Sequence, residues 1–419
     1  LAFVFSGKPF KIAAFPSVKQ SGLAKETPLS SRLLAACLLP ALILNLAACG
    51  KKEAPQPGAA SEDLVRIGSV SPLTGPQSHL GKDQENGVRM AVEEANAKGL
   101  TIGGKKVKFQ LLSEDDQADP KTATIVAQKM VDQQVKGVIG HLNSGTTIPA
   151  SKIYSDAGIP QISPSATAVA YTAQGFKTAF RVMTNDRQQG KVLGEFAAAR
   201  LGAKKIAIID DRTAYGQGLA GEFEKAAKAA GAEIVAHEFT TDRATDFMAI
   251  LTAVKGKNPE LLFYGGMDAQ AAPMARQMKQ LGLNARLLGG DGTQTAEFVK
   301  LAGDAAEGTT ASSPGLPLET MPGGKAFAEK FTAKYGKIQL YAPYAYDAAS
   351  LMLEAMKQAD STEPSKYLPY LAKIQHTGVS GRLAFDDKGD IRGGAVTLYQ
   401  VKNGAWQVVE TIGGEAPAK

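Results

Sequence analysis

A chain of 419 residues is too long to fold around one hydrophobic core, so at least two domains are expected. Its 44% hydrophobic content and 44 glycines fit a soluble α/β protein. The formal net charge of +6 would suggest an acidic partner only if the basic residues lay in the folded body.

They do not. Arg32 precedes an apolar run from Leu33 to Leu44, interrupted by Pro40, and LAAC follows, ending at Cys49. A positive flank, about a dozen apolar residues and small residues before a cleavage point make a secretory signal over residues 1–48. The cysteine resembles that of a bacterial lipobox, which implies cleavage between Ala48 and Cys49, lipid on Cys49 and a mature chain of 371 residues. An earlier LAAC, Leu34 to Cys37, precedes the apolar run instead of following it and is rejected. Setting aside Lys8, Lys11, Lys19, Lys25, Arg32 and Glu26 leaves 42 basic and 40 acidic residues, a net of +2. No basic patch interleaved with aromatics remains, so nucleic acid is not an expected partner. Cys37 and Cys49 are the only cysteines, so the folded body has no disulfide.

Residues 49–63, rich in Pro, Ala, Gly and charge, read as a flexible tether. From Leu64 the pattern alternates strand and helix. LVRIGSV is a strand; DQENGVRMAVEEANAKG is an amphipathic helix with Val88, Ala91, Val92 and Ala95 on one face; KVKFQLLSED, PKTATIVAQKMVDQ and VKGVIG continue the series. Such alternation predicts parallel sheets with helices on both faces, and ligands beyond the carboxyl ends of the strands. Two apolar runs, 135–139 and 159–162, each stop at a hydroxyl cluster: Asn143, Ser144, Thr146 and Thr147 after the first, Ser163, Ser165 and Thr167 after the second. Side by side, such ends suit a small anion such as a carboxylate, or they are two ordinary N-caps. A second alternating series follows from the helix at 186–200 through the strands KIAIIDD and EIVAHEF to GTTASSP. Helices at 323–335 and 344–359 come next, and a last hairpin turns at Asn403-Gly404.

Catalytic constellations are missing. The four histidines, His79, His141, His237 and His376, are scattered, and there is no H-E-x-x-H or G-x-S-x-G. Gly216, Gly218 and Gly221 spell G-x-G-x-x-G, but Arg212 to Tyr215 separate the motif from its strand, where the first glycine of a dinucleotide turn should follow at once. GLTIGGKK has Lys106 where a phosphate loop needs Ser or Thr, and reads as a turn. Glu114, Asp115 and Asp116 read as a solvated strand end rather than a cation site. No enzyme activity, cofactor or metal is expected.

The fragments HLNSGTTIPASKIY and GIPQISPSAT, with YGQGL at Tyr215 and LLGGDGT around Asp291, resemble the leucine/isoleucine/valine-binding proteins, periplasmic type I solute-binding proteins of branched-chain amino acid importers. The likeness runs from Leu64 to Gly394. It implies an α/β fold of two Rossmann-like lobes with parallel sheets joined by three hinge crossovers. The first lobe would hold 64–185 and 315–392, the second 186–314 and a final hairpin at 393–413, with a tail at 414–419. It implies that Ser144, Ser165, Ala166 and Thr167 bind a ligand carboxylate and adjoining groups through hydroxyls and backbone N–H, and that Asp291 pairs with an ammonium. Relatives usually carry Glu there, so the shorter Asp requires tighter closure or a bridging water. Tyr215 would pack over the ligand, and Leu80, Met267 and Tyr341 would line an apolar side-chain pocket, with Met adapting to shape. Many relatives have a disulfide where Ala118 and Asn143 stand, so here the loop is expected to be held by packing alone. The implied protein is a monomeric, lipid-anchored binder at the bacterial envelope, periplasmic if that envelope has two membranes. It would hand a branched-chain or similar apolar amino acid to an ABC permease and its ATPase. The alternative is a sensor of the same fold for short amides, urea or aromatic acids.

Overall fold

A computed structural model describes residues 62–414; the expected signal segment, Cys49, most of the tether and the end of the tail lie outside the described residues. Strand β1 (Asp63–Ser71) shows how the sequence builds the layers. Ile67 faces one buried cluster and Val70 another, because successive side chains leave a strand on opposite faces. Both faces are therefore covered by helices. The chain continues through α1 (Ser78–Lys98), β2 (Thr101–Ile102), β3 (Lys105–Asp115), α2 (Pro120–Asp132), β4 (Val138–Gly140), α3 (Ser144–Asp156), β5 (Gln161–Ser163), α4 (Ala170–Ala173) and β6 (Ala179–Arg181). These strands form a six-stranded sheet in the order β2-β3-β1-β4-β5-β6, parallel except for β2. β2 turns into β3 through Gly103 and Gly104, both at positive φ, so GLTIGGKK is a hairpin turn.

The second series runs α5 (Asp186–Glu195), β7 (Lys205–Asp210), α6 (Ala214–Ala229), β8 (Glu233–Phe239), α7 (Met248–Lys255), β9 (Leu261–Gly265), α8 (Asp268–Gln280), β10 (Arg286–Gly289), α9 (Ala296–Ala302) and β11 (Thr310–Pro314). Helices α10 (Gly324–Tyr335), α11 (Ala342–Gln358) and α12 (Pro364–Leu371) and the small pair β12 (Gln375–Thr377) and β13 (Arg382–Ala384) then return to the first lobe, where α11 packs on α1. Gly87 makes that packing possible, since a Cβ there would sit 2.3 Å from the Ala342 carbonyl oxygen. The hairpin β14 (Ala395–Lys402) and β15 (Ala405–Gly413) completes a seven-stranded sheet in the order β15-β14-β11-β10-β9-β7-β8. Its two added strands are antiparallel, so this sheet is mixed rather than purely parallel. Asn403 and Gly404 turn the hairpin with φ of 54° and 71°. Ile206 and Ile208 of β7 face one core cluster while Ala207 and Ile209 face the other, repeating the logic of β1. The chain thus passes between the two sheets three times, after β6, after β11 and before β14.

Candidate functional site

Because strands of a parallel sheet end on the same side, the helices that follow them begin there. α1, α3 and α5 follow strands of the first sheet and α6 and α8 strands of the second, while α11, which follows a helix, begins beside Tyr341, whose hydroxyl reaches Asp291. α1 begins at Ser78, five residues before the amphipathic pattern, so Leu80 lies in its first turn. Gly81 allows that seating: the helix rests on the chain leaving β1, and a Cβ at Gly81 would lie 1.8 Å from the Pro72 carbonyl oxygen.

On the first lobe, α3 starts at Ser144 with Asn143 as its cap residue. The Thr146 and Thr147 amides both bond the Asn143 carbonyl, at 3.1 and 2.9 Å. The earlier amides of Ser144 and Gly145 come before the first intrahelical bond and point past the helix end. Ser144 Oγ accepts the Ala168 amide at 3.1 Å, which ties the two hydroxyl loops together and leaves its own O–H to donate elsewhere. The second loop carries only one helical turn, α4, so a helix dipole backs one loop and not both. Thr167 is buried and its Oγ1 has no hydrogen-bond partner among the described residues. Ser165 differs from expectation. Its hydroxyl is turned inward, 2.9 Å from the Leu142 carbonyl and 3.1 Å from Gln84 Oε1, because the loop uses it as an internal tie. Ala166 is buried too, its amide bonded to Ser163 Oγ and its carbonyl to Arg181.

Arg181, missed in the sequence, gives this loop its shape. It is fully buried at the end of β6 and donates to the Ala166 and Ala168 carbonyls, each at 2.9 Å, to Thr172, and to Asp390 at 2.6 Å. A lone arginine inside an apolar strand was the available signal.

Two further expectations are corrected nearby. Asp116 is fully buried rather than solvated, with Oδ2 2.8 Å from His141 Nδ1, while His141 Nε2 lies 3.1 Å from Tyr154 Oη. Asn143 Nδ2 donates to Gln77 Oε1 at 2.6 Å. The loop at Ala118 and Asn143 is therefore held by hydrogen bonds, not by packing alone.

The opposite wall belongs to the second lobe. Asp291 follows β10 and is not the N-cap of α9, which is Thr295. Its buried carboxylate accepts three hydrogen bonds: from Tyr215 Oη at 2.9 Å, from Gln189 Nε2 at 3.0 Å and, across the cleft, from Tyr341 Oη at 2.8 Å. These three donors are all neutral. Tyr215 is buried, not an exposed loop aromatic, and its oxygen also accepts the Gly292 amide at 3.0 Å. Asp186, at the start of α5, is buried beside it. Gln189 Nε2 reaches Asp186 Oδ1 at 3.3 Å as well as Asp291, so one amide spans two carboxylates. Burial, then the charge of Asp291, push Asp186 up to about 7. Burial raises Asp291 likewise, against the pull of its three donors. Among the described residues Asp186 Oδ2 makes no hydrogen bond of normal geometry, although the neighbouring Thr167 hydroxyl pulls its pKa down, and the Asp186 amide donates to the Thr167 carbonyl at 2.8 Å, linking the acid wall to the hydroxyl loop. Asp186 and Gln189 were missed; two polar residues three apart on the inward face of a helix opening were their signal.

Leu80, Met267, Tyr215 and Tyr341 all belong to one buried apolar cluster that includes residues of both lobes. Met267 and Tyr341 stand at the residue before the first turn of α8 and of α11, without a side-chain bond to either helix end. The position of Tyr341 is set by Asp83, whose carboxylate accepts four successive amides, Gln339 to Ala342, at 2.8 to 3.0 Å.

Gly216, Gly218 and Gly221 do not form a phosphate turn. They lie inside α6, and a Cβ at Gly216 would stand 2.3 Å from the Gly265 carbonyl, so the glycine serves close helix–sheet packing. Among the described residues no cluster of His, Cys, Asp and Glu is arranged to hold a metal, and no helix is long and apolar enough to cross a membrane.

The arrangement offers hydrogen-bond donors on one wall, two buried acids on the other and apolar surface between. That is the polarity of an amino acid zwitterion. Comparison with known proteins agrees in extent. The family profile of periplasmic binding proteins matches residues 64–405. The leucine-, isoleucine-, valine-, threonine- and alanine-binding protein of Pseudomonas aeruginosa is 35% identical, over 81% of this chain and 90% of its own. The crystal structure of a leucine-binding protein from Thermotoga maritima superposes with a TM-score of 0.77 at 28% identity, covering 83% of this chain and 98% of that one. A branched-chain amino acid transporter substrate-binding protein from Streptococcus pneumoniae, in complex with isoleucine, superposes with a TM-score of 0.76 at 29% identity, over 84% and 100% of the two chains.

Proposed function

Since the chain belongs to the periplasmic binding proteins, among the Leu/Ile/Val-binding proteins, we propose that it captures a branched-chain or similar apolar amino acid between its lobes and delivers it to an ABC permease. The observation that carries this reading is the opposed polarity of the cleft. Ser144, Thr167 and the opening amides of α3 take the carboxylate, with the Ser165 and Ala166 backbone completing the loop. Asp291 and Asp186 take the ammonium, and Leu80, Met267, Tyr215 and Tyr341 surround the side chain. Losing water at both charged ends is offset only when both partners are present, which selects α-amino acids over neutral or singly charged solutes. The family's members bind solutes for import and are not enzymes.

Closure is hinge bending at the three crossovers, and ligand bonds made only when the lobes meet shift the equilibrium toward the closed form. We further propose that the protein works as an exported monomer, held at the envelope by lipid on Cys49. Calorimetry against leucine, isoleucine, valine, phenylalanine and short amides tests the substrate class. Leucine, isoleucine and valine should bind; heat from amides or aromatic acids alone would move the protein to the sensor reading.

A further inference from the structure

At the rim of the cleft the two lobes meet through a further polar contact. His79, in the first turn of α1, places Nε2 2.8 Å from Asp268 Oδ2, in the first turn of α8. The side chain of Asp268 is 1% exposed and that of His79 21%. Asp268 Oδ2 also accepts the Thr295 hydroxyl at 2.6 Å, while Oδ1 has no partner among the described residues. A carboxylate dried this thoroughly by closure favours a cation beside it. The immediate neighbours of the pair in sequence are Leu80 and Met267, so the contact closes beside the apolar part of the cleft.

We propose that His79 and Asp268 form a pH-dependent clasp between the lobes that slows ligand release in acid. The groups facing His79 fit the role. Asp268 and Glu297 come from the second lobe, Asp242 and Arg243 line the same opening, and Lys82 follows on α1 itself. Burial by itself would lower the pKa of His79; the hydrogen bond and charge of Asp268, with the charge of Glu297, outweigh it and leave it raised. The sign follows. A histidine whose pKa is higher closed than open stabilises the closed form fully below its ordinary value near 6.5, and that contribution fades as pH rises through the closed-state pKa.

The clasp depends on a closing cleft, and its link to release rests on the amino acid reading above, so two measurements separate them. X-ray scattering of the ligand-free full chain at pH 5.5 and 8.5 should show the wild type more compact in acid, and His79→Gln and Asp268→Asn unchanged between the two. Stopped-flow release of leucine should be about two- to fivefold slower in wild type than in His79→Gln at pH 5.5, as for a part-exposed ion pair, and equal at pH 8.5. The same pH response in wild type and both variants would overturn the clasp. Leucine that fails to bind, with the scattering difference intact, would overturn the substrate class and uphold the clasp.

Discussion

Asp291 and Asp186 define the chemistry at the residue scale. Two carboxylates bridged by one glutamine amide cannot both ionise cheaply in a buried site, and Asp186 accordingly rises to about 7. Its folded pKa exceeds its unfolded value of 3.8, so the native ligand-free state holds the extra proton. This group's contribution to stability is therefore greatest at low pH and declines as pH rises from about 4 to 7. On the proposed reading, an arriving ammonium would reverse the preference by favouring both charged forms. Leucine binding at pH 6 should thus release protons, and affinity should increase toward pH 8. Calorimetry in buffers of different ionisation enthalpy reads the release, and a His79→Gln background keeps the clasp out of the measurement. Binding with no proton exchange between pH 5 and 7 would remove Asp186 from the ammonium site. Asp291→Asn should weaken leucine binding by about 2 to 5 kcal/mol, the cost of leaving one buried charge without its partner. Unchanged affinity would exclude Asp291.

At the scale of elements, the site is a set of helix openings, each held by a buried polar group. Asp83 is the most heavily used. By gathering four amides at the start of α11 it fixes Tyr341, and through Tyr341 the acid wall. Asp83→Ala should cost about 1 to 3 kcal/mol in urea unfolding by orphaning buried donors, and should also weaken leucine binding by shifting Tyr341. Lost stability with full affinity would show that Tyr341 is placed independently of Asp83. Arg181 and the Asp116–His141–Tyr154 group do the same work for the hydroxyl loops. Their distribution explains why a chain with no cysteine in its folded body still holds the loop between β4 and α3 in one shape.

Among the described residues, two large sheets and one small pair of strands are threaded by three passages of one chain, the passages at which the proposed closure would hinge. Among the described residues the interlobe bonds include Tyr341 to Asp291 and the Asp186 amide to the Thr167 carbonyl within the cleft and His79 to Asp268 at its rim, so differences in ligand contact can govern opening. The lipid proposed on Cys49 would hold such a binder near its permease. Cys49→Ser should leave an unlipidated, uncleaved precursor detectable by mass spectrometry of the cell fraction. Normal processing of that variant would refute the lipid anchor.

The alternation of buried strands and amphipathic helices, the Asn403-Gly404 hairpin and the hydroxyl clusters after two strands were written in the order of residues, because strand and helix periodicity are local properties. Ser144 and Asp291 were legible for the same reason: each sits where an apolar strand stops. The pairing of Asp186 with Asp291, the inward turn of Ser165, the burial of Asp116 on His141 and the contact of His79 with Asp268 were not. Each depends on residues between 25 and 189 positions apart, or on the direction a side chain takes once its loop is packed. Burial sets the protonation of such groups, and burial exists only after the sheets and lobes have come together.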